Sequence, residues 1–189
     1  MSHPFEALPA GRRARVFLPL LAATLVVWAA AAVIDRPLET PAAPLGIISF
    51  ELAGDLATAR QMIVSWDEPA REHALLGLGL DFLFLALYST TIGLACVWAA
   101  GVLRTRRWPL AAVGLSLAWG QWRAAALDAM ENVALIILLL RATSDPWPRI
   151  AWWCAAPKFG LVVAGLLYAA YGAAAWLTAS PGSTPRSTR

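Results

Sequence analysis

The stretch ALDAMENVALIILLL, residues 126–140, sets two carboxylates and an amide immediately ahead of bare hydrocarbon. Asp128, Glu131 and Asn132 stand at i, i+3 and i+4, so on a helix they share one face. Side chains of these types hold or pass protons, pair with a cation, or grip a polar ligand. Three more residues are candidates to join them: Asp81 and Tyr88, on one helical stripe with Gly77, Phe84 and Thr91, and Lys158 in CAAPKFGL. Three carboxylates against one lysine leave a formal excess of two negative charges, and close carboxylates in a low-dielectric interior cannot all stay ionised. Either protons are retained, or a cation or cationic ligand belongs there. A structural alternative stands beside this one: a Lys158–Glu131 pair, with Asn132 and Asp81 as hydrogen-bond partners, could do no more than fix helix register. The pattern DxxEN alone does not choose between them.

The chain that positions these residues has 189 residues, 59% hydrophobic and only 14% charged, outside the balance of a soluble domain. Its apolar residues fall in blocks long enough to cross a hydrocarbon layer of roughly 30 Å at about 1.5 Å per helical residue. Four such blocks, about 15–34, 75–103, 109–140 and 150–178, predict an all-α bundle of four transmembrane helices. Barrel strands would alternate polar and apolar residues, and these blocks are continuous. The first block, preceded by Arg12, Arg13 and Arg15, reads as a retained helix, with a cleaved secretory signal as the alternative. Residues 1–14 and the tail 179–189 flank the transmembrane domain, the tail reading as disordered.

Arginines set the expected orientation. Arg12, Arg13 and Arg15, then Arg104, Arg106 and Arg107, then Arg186 and Arg189 fall on one side, and positively charged flanks stay in the cytoplasm. Both termini are expected inside a bacterial inner membrane, against membrane lipid. Between the first two spans, Leu52, Leu56, Ala59, Ile63 and Trp66 recur at helical spacing. They predict a short amphipathic extracytoplasmic helix at about 55–66, capped by Asp55, that serves as an interfacial linker or as a lid.

Several classes find no support. There is no basic stripe interleaved with exposed aromatics, so no nucleic-acid partner is expected. Cys96 and Cys154 form no CxxC pair, and His3 and His73 lie outside the expected spans, which leaves no thiol redox motif and no bis-histidine haem. No metal or other cofactor is expected. Small residues such as Gly165, Ala169 and Gly172 read as helix packing, and tryptophans at the span ends as interfacial anchors.

Residues equidistant from a short link between antiparallel helices lie at similar depth. That levels Asp81 with Glu131 about the 104–108 link, and Glu131 with Lys158 about the 141–149 link. The cluster is expected roughly 9–15 Å below the outer surface at about 1.5 Å per residue. Arg123 falls on another face and is expected to snorkel or pair elsewhere.

FELAGD at 50–55 with Trp66, LDFLF at 80–84, Tyr88, DAMEN at 128–132 and KFGL at 158–161 together resemble a family of small bacterial four-helix membrane proteins. The resemblance runs from about residue 47 to 172 and implies a four-helix inner-membrane fold, without a substrate. In layout the chain is also similar to the four-helix sterol-isomerase and sigma-2-receptor group, by architecture alone. Three functions follow as expectations. One is an outward-facing pocket, floored by Asp81, Glu131 and Lys158, that binds a lipid-like or small polar molecule or assists a partner protein. The second is an intramembrane acid/base enzyme on an isoprenoid or lipid, with Glu131 or Asp128 handing on a proton. The third is a proton- or cation-coupled transport component that would need a homo-oligomer.

Overall fold

The computed structural model describes residues 3–141 and 146–178. Six α-helices account for most of them: α1 (Ala10–Asp35), α2 (Ile47–Glu51), α3 (Leu56–Ser65), α4 (Glu68–Thr105), α5 (Val113–Arg141) and α6 (Pro146–Leu177). Short 3-10 turns precede α1 at Pro4–Ala7 and follow it at Arg36–Leu38. No strand is present among the described residues. The expected tail at 179–189 lies outside them.

Three helical stretches, Gly11–Leu38, Glu68–Thr105 and Pro146–Leu177, are long and apolar enough to cross a membrane. Helix α5 has a comparable length of 29 residues but carries Arg123, Asp128 and Glu131. Helices α1, α4 and α6 start ahead of the expected apolar blocks, while α5 starts at Val113 rather than 109; α4, for example, starts at Glu68 rather than 75 because Asp67 accepts a hydrogen bond from the Ala70 N–H at 2.9 Å and Pro69 occupies the first turn. Hydropathy marks where hydrocarbon lies, whereas caps mark where a helix begins.

Helices α4, α5 and α6 pack on one another, and α1 lies against α4. Leu18, Leu25, Val26 and Val33 of α1 are exposed, an arrangement suited to lipid rather than water. One hydroxyl bridge, Thr24 to Thr91 at 2.9 Å, ties α1 to α4.

The segment joining α1 to α4 folds over one end of the bundle. Asp55 caps α3 through the Thr58 N–H at 2.9 Å. Ahead of α3 stands α2, for which no helical expectation existed. Its first N–H, on Ile47, donates to Asp35 at 2.8 Å, and Gly46 (φ +54°) runs so close to that carboxylate that a Cβ would collide with it. Phe50 and Trp66 are fully buried with ring centroids 5.2 Å apart, and the Trp66 indole donates to the Leu38 carbonyl at 2.8 Å. This hydrophobic knot lowers Glu51, the last residue of α2, onto the bundle.

Candidate functional site: an acid cluster around Lys158

Lys158 lies on the buried face of α6 with Cys154, Ala155, Gly165 and Tyr168. Its ammonium meets three carboxylates: Glu131 at 2.9 Å, Asp128 at 3.0 Å and Glu51 at 3.4 Å. Directed hydrogen bonds run to Asp128 and Glu51. Glu131 is close enough to be held by charge, yet neither of its oxygens lies in a hydrogen-bonding direction of the lysine. The Tyr88 hydroxyl, from α4, donates to the second oxygen of Asp128 at 2.9 Å. One step across the interface, the Asn132 amide donates to Asp81 at 2.7 Å.

The centre is sealed. Glu131 is 0% exposed, Asn132 1%, Asp128 3% and Lys158 5%. Three carboxyl groups, Glu51, Asp128 and Glu131, therefore share one interior with a single ammonium, and half-buried Asp81 stands beside them. Glu51 and Glu131 both face the Lys158 ammonium, and carboxyl groups gathered around one cation in a buried interior cannot all stay ionised. Burial pushes the Glu51 carboxyl above its ordinary range; the lysine draws it back and Asp128 adds to the rise. Beside the cluster is a partly open cavity of about 60 Å³, lined by Ile34 and Asp35 of α1, Glu51 of α2, Gly77 and Asp81 of α4, and Asn132 of α5, among others.

The expected residues separate into two groups. Tyr88, Asp128, Glu131 and Lys158 form one connected network, while Asp81 and Asn132 pair with each other at the cavity wall rather than with the lysine. The expected polar floor of Asp81, Glu131 and Lys158 is thus recast: Asp128, four residues ahead of Asn132, supplies the contact to lysine, because Asn132 faces α4 and holds Asp81 there. Arg123 is exposed on α5 and stands apart from the cluster. Gln121, on the same side of α5 as Asp128, spends its amide on the Leu161 carbonyl at 2.8 Å and serves packing.

Glu51 is the residue that sequence reasoning missed. A signal was present: it is the lone acid in the apolar run LGIISFELAG, and an isolated acid among buried side chains needs a partner. No protein-family model, curated protein or solved structure matches this chain, so the geometry itself carries its interpretation.

Proposed function

We propose that the chain is a four-span protein of the bacterial inner membrane, with both termini cytoplasmic and α2–α3 outside, that binds and releases protons at the Lys158 cluster through its outer face. One observation carries this reading: three carboxyl groups and a single ammonium share a buried interior, with a fourth carboxyl, Asp81, on the wall of the adjoining cavity of about 60 Å³. Full ionisation would leave an excess of three negative charges about one ammonium in this interior, so the cluster must hold protons. Their number then depends on the pH that reaches it through the cavity.

The cavity also selects among ligands. It admits water-sized species, whereas a lipid headgroup or isoprenoid needs several hundred Å³. That favours a proton, or another small polar species, over a lipid-like ligand or a lipid substrate for acid/base chemistry. The opposite half of the bundle is packed closely, so net transport through one copy has no visible path; a transport role would call for an oligomer or a partner.

Two features support four crossings. The acids that lower the hydropathy of α5 point inward, leaving Arg123 as its exposed mid-helix charge. Arg13, at the start of α1, lies against Gly101 near the end of α4, so the arginines of 12–15 and 104–107 share one end of the bundle.

The test is infrared difference spectroscopy of the lipid-embedded protein on a step in external pH. A protonated-carboxyl band should appear on acidification and be lost or shifted in Glu131→Gln and Glu51→Gln. A wild-type spectrum without any carboxyl change between about pH 5 and pH 9 would overturn the proposal.

A further inference from the structure

The amino-terminal segment does not trail away from the bundle. Arg13 Nε donates to the Leu8 carbonyl at 3.2 Å and turns the chain back along the start of α1. Arg13 lies level with Gly101 of α4, while the Phe5 ring lies against Gly93 of the same helix. Eight helical residues separate the two, so the segment returns about 12 Å into the bundle. At its tip His3 is 2% exposed, its ring centroid 4.7 Å from Phe5, 4.9 Å from Trp119 and 4.8 Å from Trp122. The segment is stitched by a reciprocal cap: the His3 N–H donates to Glu6 at 3.0 Å, and the Phe5 N–H donates to His3 Nδ1 at 3.3 Å.

The second bond fixes the imidazole's state. Accepting from Phe5 requires a lone pair on Nδ1, so the neutral ring carries its proton on Nε2, which is buried without a partner. A second proton can go only onto Nδ1. It would set two donors against each other, break the cap and place a charge among aromatic rings.

We propose that His3 is a pH-reading latch: the neutral imidazole holds residues 3–8 across the seam between α4 and α5, and its protonation releases them, uncovering Gly93, Trp119 and Trp122. The charged groups around it are few. Glu6 is on the segment itself and acts on His3; Arg13 of α1 is engaged at Leu8; Arg123 follows Trp122 on α5 and is exposed; α4 has no charged residue from 82 to 103. Burial pushes the imidazole below its ordinary range and Glu6 opposes this weakly. Because the docked state disfavours the proton, docking is at full strength above about pH 6.5, the ordinary histidine value, and is lost as pH falls through the lowered docked value. The latch is independent of the Lys158 cluster.

The experiment places a nitroxide at exposed Ala7 through Ala7→Cys; Cys96 and Cys154 are buried and stay unlabelled. Its mobility is followed in the full chain in lipid discs from about pH 8 to about pH 5. A spectrum that is restricted at high pH and mobile at low pH, with a transition absent in His3→Phe and retained in Glu6→Gln, is the expected result. A spectrum unchanged over the whole range, a transition that survives His3→Phe, or one abolished by Glu6→Gln would each overturn the latch.

Discussion

The two ends of the helical bundle are held together by different physics. At the end beneath α2, helices α4, α5 and α6 meet through long polar side chains around Lys158, and the space they leave is partly closed by Phe50, Trp66 and Leu38 from the covering segment. At the other end the helices meet almost backbone to backbone. A Cβ on Gly114 would lie 2.7 Å from both the Ala100 Cβ and the Tyr168 hydroxyl, and 2.8 Å from the Cys96 carbonyl; Gly172 presses as closely on Ala99. Small residues let shape alone seal an apolar interface. Charged side chains hold helices further apart, and such an end needs a lid and retains a cavity. The covered end therefore keeps polar space that protons can enter, whereas the helix contacts at the other end are closed by shape.

The strongest way to break this contrast is at the cation. Lys158→Ala strips three carboxylates of their only ammonium, and losing one partner of a buried ion pair costs about 3–5 kcal/mol. Thermal unfolding in detergent should show a large drop, partly recovered in Lys158→Ala/Glu131→Gln because the double variant removes an uncompensated acid along with the lysine. An unchanged melting temperature in the single variant would mean that the acids are neutral without help, and the electrostatic half of the contrast would fall.

At the tightly packed end the expected failure is steric. Gly114→Val forces apart α4, α5 and α6 where neither backbone nor ring can yield, at about 1–3 kcal/mol or more. It should leave the pH-sensitive carboxyl band in place wherever folded protein is recovered. If that band disappears with folding intact, the two ends are coupled. Tyr88→Phe probes the junction between them: the Asp128 carboxylate loses one donor, for a cost of about 1.5 kcal/mol in stability, read by the same melts.

Much of the covered end was legible in the sequence because helix periodicity is a strong signal there. Asp128, Glu131 and Asn132 had to share a face, and level-matching across the links put Lys158 beside Glu131, where the structure has a 2.9 Å contact. Which acid turns to the lysine and which to the neighbouring helix depends on helix rotation, which residue numbers do not contain; hence Asp128 stands where Asp81 was expected. Glu51 escaped because its position is set by tertiary packing of Phe50 against Trp66, not by a local pattern. The folded-back amino terminus was marked only by the His3–Glu6 spacing of a cap with an unusual capping residue. In contrast, Asp55 capping α3 is purely local chemistry, and three residues suffice to read it.

The smallest expected effect sharpens the contrast most. Glu51 has its carboxyl raised in the folded protein, chiefly by burial. A raised acid contributes stability that is fully present below its ordinary value of 4.5 and is lost as pH rises through the folded value. Wild-type protein should therefore lose stability as pH rises from 4.5 toward the folded value, and Glu51→Gln, which keeps the shape of the protonated group and leaves Asp128 and Glu131 on the lysine, should flatten that slope. Near neutral pH its melting temperature should stay within a degree or two of wild type, or rise, since a change below about 0.5 kcal/mol is worth no more in a chain of this length. A drop as large as that of Lys158→Ala would show Glu51 ionised and essential to a fixed ion-pair lock. The covering segment would then be as fixed as the close-packed end, and the protons that the cluster holds would reside on Asp81, Asp128 or Glu131 rather than on Glu51.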